Sequence, residues 1–317
     1  MISLLLYTEI FFLMNIALVY PSSYCDRNWP SLELFLPYRL HTNKNDIRYY
    51  EFEAIFLRSF MLFFPLKLSN VSLTVAIDAE QHNTPQAREL YGTIGEINRR
   101  MPGGAQMSLI PESHHYRMGY DRQQLVMFWA DNYTAREYVG FVDTDAAFIT
   151  YVDREDLFED GKPVVNARSG HHAVSSDGVW KWSVGSFVSL GILEPFKCMS
   201  YFPVIVKVSH LPEMREFIAR YHNLTFNDAF YHNITNGVGY SQFGIMCTYL
   251  YAFKREEYKW YVHSETPQWD GKNPPPTPGQ DGNVSQFTAE MNIPKPRIST
   301  HVGHRRTHMN PIVSCDR

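Results

Sequence analysis

The stretch that decides the fold is Tyr138-Val139-Gly140-Phe141-Val142-Asp143-Thr144-Asp145-Ala146-Ala147-Phe148. Its first half is an apolar run rich in aromatic and β-branched residues, which is typical of a buried strand. The run ends in two carboxylates, Asp143 and Asp145, with one residue between them. Because burying unpaired carboxylates is costly, we expect both side chains where the strand leaves the sheet. In open α/β sheets, that point borders the ligand crevice.

The two aspartates form an Asp-x-Asp pair that suits a metal ion. Side chains at positions i and i+2 of an extended backbone point to the same side. Two such carboxylates can hold a hard divalent cation, Mn²⁺ or Mg²⁺, which prefers oxygen ligands and can clamp a diphosphate leaving group. The same pattern is also common in solvated turns. Phosphatases with an aspartyl nucleophile carry a related motif, but Ala147 stands where they have Thr or Val.

Strand and helix patterns alternate on both sides of this stretch. Strands are predicted at 32–36, 73–77, 107–110, 163–165 and 203–208, and helices at 45–63, 84–100, 121–131, 211–222 and 241–253. The alternation predicts an α/β protein with a mostly parallel, doubly wound sheet flanked by helices. The C-terminal half is less regular, with a long surface loop predicted at 260–296 and a short last strand at 297–301. In the first helix, the predicted buried face consists of Tyr50, Ala54, Leu57 and Met61.

Length and composition limit the function classes. The chain has 317 residues, enough for one large domain or two small ones with a sizeable core. Its net charge of −4 gives no general attraction to polyanions, so we expect no nucleic-acid partner. Aromatic residues make up 15% of the chain, which argues against disorder.

The N-terminal residues carry a targeting signal by their composition. The stretch from Ile2 to Tyr20 is apolar apart from Glu9 and is about long enough to cross a bilayer. We assign residues 1–24 to a cleaved signal peptide or an uncleaved signal anchor, and a buried helix remains the alternative. Five sequons fit the N-glycosylation pattern, at Asn70, Asn132, Asn223, Asn233 and Asn283. Together these features favour the ER or Golgi lumen, as a type II membrane protein or a secreted one.

The cysteines permit a disulfide framework. Cys25, Cys198, Cys247 and Cys315 allow two disulfides in three connectivities, and no pair has the spacing of a metal site. Cys25 and Cys315 flank the domain and can tie its ends together. Cys247 lies in an apolar run, where a simple buried thiol is the alternative.

The order of strands, the mid-chain Asp-x-Asp and the secretory features resemble the GT-A-fold nucleotide-sugar glycosyltransferases. Finer similarity to a branch of that superfamily lies in Gly119-Tyr120-Asp121-Arg122-Gln123-Gln124 and in Tyr240-Ser241-Gln242-Phe243-Gly244. The resemblance covers about residues 32–305. It implies one GT-A-like domain over 25–317, with a nucleotide-binding half at about 30–150 and an acceptor half at about 151–310. It also implies that Asp145 ligates Mn²⁺ directly, while Asp143 contacts the metal through water or binds the donor ribose.

The segment Ser299-Thr300-His301-Val302-Gly303-His304-Arg305-Arg306 offers further donor contacts. It resembles the end of glycogenin-like transferases in its order of metal-binding His, Gly and basic residue, although its spacing is tighter. The resemblance implies that His301, ahead of His304, completes the metal site and that Arg305 contacts the diphosphate. Imidazole suits Mn²⁺, and Arg binds phosphate oxygens in pairs. A solvated basic tail is the alternative.

Three residues are expected in the crevice near the nucleotide. Asp78 follows the second strand and Arg39 the first, so the switch-point rule places both there. Arg122, on the helix before the Asp-x-Asp strand, is expected to reach the donor. The alternatives are a strand-end cap for Asp78 and a solvated helix surface for Arg122.

The acceptor side is less defined. The resemblance places Gln242 beside the acceptor or the anomeric carbon, but Gln cannot act as a general base. An inverting enzyme needs one, for which Asp177, Glu213 and Asp228 are candidates, whereas a retaining enzyme needs none. Trp180 and Trp182 alternate around Lys181 and, on a strand, would share one face, either to stack on a sugar or to pack in the core.

These patterns together predict a metal-dependent glycosyltransferase. It would move a sugar from a nucleotide-diphosphate donor to a glycan or glycoprotein acceptor in the secretory pathway. A catalytically silent GT-A-like module that binds carbohydrate or nucleotide is the alternative from another function class. A phosphatase-like hydrolase is a third.

Overall fold

The computed structural model describes residues 29–41, 43, 48–111, 119–169, 180–198, 201–235 and 241–264. In chain order, the elements are β1 (Leu32–Tyr38), α1 (Arg48–Glu51, a π-helical turn at Phe52–Leu57, and Arg58–Phe63), β2 (Val71–Asp78), α2 (Pro85–Arg100), β3 (Ala105–Ile110), α3 (Tyr120–Phe128), β4 (Tyr138–Phe141), α4 (Arg154–Leu157), β5 (Phe158–Glu159), β6 (Lys162–Ser169), α5 (Trp180–Leu190), β7 (Val204–Lys207), α6 (His210–His222), α7 (Phe226–Thr235), α8 (Gln242–Phe253) and β8 (Lys259–Ser264).

The main sheet is mixed and mostly parallel. Its order is β3-β2-β1-β4-β7, in which the first four strands are parallel and β7 runs antiparallel to β4. A smaller sheet has the order β5-β6-β8. The predicted α/β class with a mostly parallel sheet flanked by helices is confirmed at this level.

The central strands are buried on both faces. All seven residues of β1 and all eight of β2 are buried, which explains their nearly continuous apolar sequences. Alternate residues of β1 point to opposite layers. Leu34 and Leu36 join the layer formed with α1 and α2, and Phe35 joins the layer formed with α3, α6, α7 and α8.

The face that α1 buries differs from the predicted one. Of the predicted face, Tyr50 and Ala54 are exposed and Leu57 and Met61 are partly buried against the core. Phe52, Phe56 and Phe60 are buried instead. These rings and Phe64 recur at every fourth residue and stack in a row, with centroids 6.0, 5.6 and 5.1 Å apart. The π-helical turn keeps this four-residue spacing in line, so the large aromatic row faces the sheet.

The C-terminal half departs further from the sequence prediction. The segment that begins at Trp180 is helical, so the argument that Trp180 and Trp182 share one face of a strand does not apply. Helix α7 was not predicted. The predicted loop at 260–296 begins instead as strand β8, which pairs with β6, and its remainder lies outside the described residues.

Two of the cysteines form a disulfide. Cys198 and Cys247 are bonded and both buried, so Cys247 is not a simple buried thiol. The bond joins the segment after α5 to the middle of α8. Cys25 and Cys315 lie outside the described residues, and their pairing stays a prediction.

The N-terminal prediction is not tested by the described helices. Within the ranges given above, no helix is both long and apolar enough to cross a membrane. Residues 2–20 lie outside those ranges.

Candidate functional site

The sheet order creates a switch point between β1 and β4. From β1 the chain proceeds through β2 to β3 on one side, and then returns to place β4 on the other side of β1. In such sheets, ligands bind in the crevice outside the carboxyl ends of the strands at the switch point. Arg39 directly follows β1, and Asp143 lies two residues after β4. The predicted residues therefore flank the crevice that the topology defines.

The Asp-x-Asp pair lies in a turn rather than on extended backbone. Strand β4 ends at Phe141, and the Ala146 N–H donates to the Asp143 carbonyl oxygen at 3.2 Å. The Thr144 N–H donates to Asp143 Oδ1 at 2.8 Å. The rule for alternating strand residues therefore does not explain how the two carboxylates meet. They are nevertheless close enough that the charge of Asp145 raises the pKa of Asp143.

Asp143 has the electrostatic character of a cation ligand. Burial raises its pKa first, and the neighbouring Asp145 carboxylate raises it further. Asp145 itself is exposed. No basic side chain in the described part of the chain pairs with Asp143. A bound cation would remove the repulsion between the two carboxylates, and their oxygens are the ligand type that Mn²⁺ and Mg²⁺ accept.

Of the three predicted metal ligands, the described residues include Asp143 and Asp145. Among the described residues, no group of three or more His, Cys, Asp and Glu side chains is placed to hold a metal ion. His301, the third predicted ligand, lies outside the described residues, as do His304 and Arg305. Their roles stay predictions.

Asp78 and Arg122 meet at the carboxyl end of β2. Arg122 Nη1 donates to Asp78 Oδ1 at 3.2 Å and to Glu80 Oε2 at 2.6 Å, and Arg122 Nη2 donates to Glu80 Oε1 at 2.7 Å. Arg122 is buried rather than solvated. The structure thus brings two predicted donor-binding residues together and adds Glu80. Arg122 orients these carboxylates, and two of its N–H groups are occupied by Glu80.

Asp78 keeps one carboxylate oxygen without a partner. The side chain is 1% exposed, and Oδ2 has no hydrogen bond from any described residue. Burial raises the pKa of Asp78, while the charges of Arg122 and Arg39 oppose that shift. Because Oδ2 is buried, a ligand reaches it only if a neighbouring group moves aside.

Arg39 lies across the start of α3. A Cβ atom built on Gly119 would lie 2.9 Å from Arg39 Nη1, and Gly119 has a φ of 121°, which favours glycine. The glycine therefore lets the guanidinium approach the first turn of the helix. Helix N-termini and guanidinium groups both attract anions. Arg39 and Asp143 thus bring one cationic and one anionic side chain near the start of α3.

Tyr120 was missed by the sequence analysis as a site residue. Burial, and then the charges of Asp143 and Asp121, raise its pKa to about 12. The effect of Asp143 shows that the phenol lies near the Asp-x-Asp turn. Its position at the start of α3 was visible in the sequence, but nothing in the sequence linked it to Asp143.

Gln242 begins α8 and packs against α3. Its backbone N–H donates to Gln124 Oε1 at 3.3 Å, and Gln242 Nε2 contacts Met127 Sδ at 3.2 Å. Phe243 packs on Phe141, the last residue of β4, with ring centroids 6.3 Å apart. The start of α8 is thus next to the strand that carries the Asp-x-Asp turn. Gln242 Oε1 is buried without a partner among the described residues.

Glu194 is a second carboxylate that the sequence analysis missed. A Cβ atom on Gly244, in the first turn of α8, would lie 2.9 Å from Glu194 Oε2. Glu194 is buried against this helix start, where the helix dipole favours negative charge. Gly244 is therefore needed for the close approach, which no sequence pattern indicated.

The three candidate bases differ in position. Glu213 lies in the first turn of α6, which follows β7 at the edge where β4 begins, and it pairs with Lys254 at 2.6 Å. The crevice lies at the other end of these strands, where the parallel strands finish. Asp228 accepts from Thr225 Oγ1 at 2.6 Å near the start of α7, and Asp177 lies outside the described residues. None of the three is brought to Asp143 by the contacts described.

The fold and the crevice define the class of protein as α/β, with a mixed, mostly parallel sheet that is compatible with a Rossmann-like fold. No family model and no curated protein matches this chain. The crevice itself contains Arg39, Asp78, Arg122, Asp143 and Asp145 at one edge of the sheet.

Proposed function

We propose that the protein is a GT-A-fold, metal-dependent glycosyltransferase. It would transfer a sugar from a nucleotide-diphosphate donor to a glycan or glycoprotein acceptor in the secretory pathway. The observation that carries this proposal is the position of Asp143 and Asp145. They form a like-charged carboxylate pair without a basic partner among the described residues, and they lie at the switch point of a mostly parallel sheet.

The charge pattern of the crevice suits a metal-bound diphosphate. A divalent cation bound to Asp143 and Asp145 would neutralise charge that develops on the leaving diphosphate. Arg39 and the N–H groups at the start of α3 would supply positive potential for the phosphates. Acidic residues would hold the cation and basic groups would meet the phosphates, so the two kinds of group serve different parts of the same ligand.

Asp78 suits the nucleoside end of the donor. Its unpaired Oδ2 can accept a hydrogen bond from a ribose hydroxyl or a base N–H. Arg122 and Glu80 fix the orientation of the Asp78 side chain. In this arrangement Arg122 contributes by positioning Asp78, and not by direct contact with phosphate.

The disulfide supports the secretory location. Disulfides form and persist mainly in oxidising compartments. The Cys198–Cys247 bond, the predicted sequons and the apolar residues 2–20 all favour the same location. The carboxylate beside α8, Glu194, is a further candidate for the acceptor side, next to the start of the helix that packs on β4.

Turnover of an Asp145→Ala variant tests the proposal. With nucleotide-sugar donors and Mn²⁺, we expect sugar transfer or donor hydrolysis to fall by about 100-fold or more, the loss typical when a transition-state stabiliser is removed. Glu155→Gln is the matched control, because Glu155 is an exposed carboxylate in α4. Full turnover by Asp145→Ala would refute the proposal.

A catalytically silent binding module is the second candidate. It is favoured by the finding that the described residues contain no group of three or more His, Cys, Asp and Glu side chains placed to hold a metal ion. Such a module would bind nucleotide or carbohydrate and show no turnover with any donor, in the wild type as in the variant.

A further inference from the structure

The side chain of Gln81 bonds to the backbone of Leu40 through both ends of its amide. Gln81 Nε2 donates to the Leu40 carbonyl oxygen at 2.7 Å, and the Leu40 N–H donates to Gln81 Oε1 at 2.9 Å. The two residues are 41 positions apart, and both are buried. A side-chain amide that both donates and accepts in this way does what a peptide group of a neighbouring strand does.

These two hydrogen bonds extend the sheet beyond its last paired residues. Strands β1 and β2 are paired up to Tyr38 and Ile77. Leu40 lies two residues after the end of β1, and Gln81 is the last residue of the short 3₁₀ turn that follows β2. The Gln81 side chain therefore keeps the two chain segments side by side at the carboxyl edge of the sheet, where the switch point lies.

The backbone of Gln81 is held as well. Its carbonyl oxygen accepts from the Thr84 N–H at 3.1 Å and from Thr84 Oγ1 at 2.8 Å. Thr84 also caps α2, because its Oγ1 accepts from the Ala87 N–H at 3.2 Å. A buried polar network whose members are hydrogen-bonded is rigid, so Gln81 can hold Leu40 in one place.

Leu40 is the residue next to Arg39. The Leu40 side chain is buried in the layer formed with α1 and α2, whereas Arg39 is exposed. The Arg39 guanidinium lies beside Gly119, which precedes α3. Burial raises the pKa of Asp78, and the charges of Arg122 and Arg39 oppose that rise, so the guanidinium is near Asp78 too. A long exposed side chain has many rotamers, and a fixed backbone limits the directions that it can take.

We propose that Gln81 is a positioning residue of the nucleotide-diphosphate site. By holding Leu40, it keeps Arg39 beside Asp78 and the start of α3, where the guanidinium can meet the phosphates of the donor. Gln81 acts through Arg39 and does not itself contact the donor. This inference rests on the proposed function, because the diphosphate is the ligand proposed there for Arg39. The ordering of Arg39 by Gln81 can also be tested without a ligand.

A double-mutant cycle on nucleotide affinity tests the proposal. The full chain is titrated with UDP and with GDP in the presence of Mn²⁺. Gln81→Met keeps the length of the side chain and removes both hydrogen bonds to Leu40. We expect the dissociation constant to rise by about threefold to tenfold, the cost of ordering one long side chain on binding. In the Arg39→Ala background, Gln81→Met should weaken binding no further, because its effect passes through Arg39.

A matched control separates this effect from a loss of stability. Asn98 Oδ1 accepts from the Ala105 N–H at 3.0 Å where β3 begins, at the other end of the strands. Asn98→Ala also removes a bond between a side chain and the backbone, so it should lower the free energy of unfolding and leave nucleotide affinity unchanged. Gln81→Asn, whose amide is one methylene shorter, is the milder variant if Gln81→Met does not fold. It should weaken binding in the same direction.

The pKa of Asp78 tests the position of Arg39 without a ligand. Carbon NMR of labelled carboxyl groups measures it in the wild type and the variants. Because the charge of Arg39 lowers this pKa, Arg39→Ala and Gln81→Met should each raise it, and the double variant should raise it no further than Arg39→Ala. If the wild type bound neither nucleotide, the proposed function would fail. The pKa of Asp78 would still decide whether Gln81 positions Arg39.

Three results would overturn the proposal. One is an unchanged dissociation constant in a folded Gln81→Met variant of a chain that binds nucleotide. Another is an effect of Gln81→Met on affinity that keeps its full size in the Arg39→Ala background, which would mean that Gln81 does not act through Arg39. The third is a pKa of Asp78 that Gln81→Met leaves unchanged.

Discussion

Carboxylates lie at both ends of the parallel strands of the main sheet, but their surroundings differ: Glu33 is buried, Asp143 is half-buried and Asp145 is exposed. At the edge where the parallel strands begin, Glu33 Oε2 accepts from Ser72 Oγ at 2.8 Å and from Thr134 Oγ1 at 3.2 Å. Arg136 extends this network, with Nε donating to Ser72 Oγ at 3.0 Å, while Glu33 Oε1 has no hydrogen-bond partner among the described residues. At the opposite edge, Asp143 has a backbone N–H and a second carboxylate as neighbours.

This difference separates a structural acid from a candidate functional one. Burial raises the pKa of Glu33, and hydroxyl groups and Arg136 lower it again, so the surrounding protein offsets part of the cost. The repulsion between Asp143 and Asp145 is not offset by any described basic side chain. A buried acid with protein partners holds the fold together, whereas an acid pair without them suits a cation from outside.

The largest effect is expected at the structural edge. Arg136→Ala removes hydrogen bonds to Ser72 Oγ and, at 3.0 Å, to the Gly103 carbonyl oxygen. We expect the free energy of unfolding to fall by about 1–3 kcal/mol, because buried acceptors lose their donor. Urea unfolding measures the loss. Nucleotide binding should not change. If the Arg136→Ala variant unfolded with the same free energy as the wild type, the network around Glu33 would have no structural role.

Arg39→Ala is expected to give the opposite result at the crevice. Because Arg39 is exposed, we expect the free energy of unfolding to stay within about 0.5 kcal/mol of the wild type. The dissociation constant of a nucleotide diphosphate should rise by about tenfold, or about 1.4 kcal/mol, through loss of a phosphate contact. Calorimetric titration measures it, with Arg88→Ala in α2 as the exposed control. Equal affinities of the Arg39→Ala and Arg88→Ala variants for the nucleotide diphosphate would show that Arg39 does not contact it.

A pH titration of Glu33 and Asp143, with and without Mg²⁺, tests whether only Asp143 responds to a cation. The pKa values of both Glu33 and Asp143 are raised in the folded protein. Each group therefore favours folding below its unfolded pKa, and this contribution is lost as the pH rises through the folded pKa. Mg²⁺ should lower the pKa of Asp143 and leave that of Glu33 unchanged. Carbon NMR of labelled carboxyl groups measures both, and an unaffected Asp143 would argue against a metal site.

The smallest effect concerns the sequons. Asn132 is exposed near the structural edge, whereas Asn233 is 2% exposed and its Nδ2 donates to Ser189 Oγ at 3.4 Å. We expect a glycan at Asn132 and none at Asn233 in protein secreted by eukaryotic cells. Asn132→Gln should then lose one glycan in mass spectrometry and Asn233→Gln should lose none. A glycan on Asn233 would contradict the packing of α7.

The strands that carry the crevice were predictable from local sequence. Buried parallel strands read as continuous apolar runs, so β1, β2 and β4 and the carboxylates after β4 could be located. The pairing of Asp78 with Arg122 was not predictable, because the residues are 44 positions apart and meet only through packing of α3 on the sheet. Helix α5 has no acidic residue in its first turn and no basic residue in its last turn, so the usual signals of helix boundaries are absent from its sequence.

The first helix shows why only half of the predicted face is packed on the core. The pattern Tyr50, Ala54, Leu57 and Met61 fits a regular α-helix as well as the Phe row does, and periodicity alone cannot rank two apolar faces. The face formed by Phe52, Phe56, Phe60 and Phe64 is the buried one because its rings are larger. Three of these rings also pack against Phe148, which lies far from them in the sequence. Contacts between distant segments therefore decided which face of α1 is buried.

Thermal unfolding with nucleotides and metal tests the central claim most directly. The purified chain is unfolded with UDP, GDP or CMP, each with and without Mn²⁺. We predict stabilisation by one nucleotide only when Mn²⁺ is present, by about 2.7 kcal/mol at 100 times its dissociation constant. Asp143→Asn should abolish the Mn²⁺ dependence. No stabilisation by any nucleotide with Mn²⁺, in a folded sample, would contradict a metal-dependent nucleotide site at the switch point.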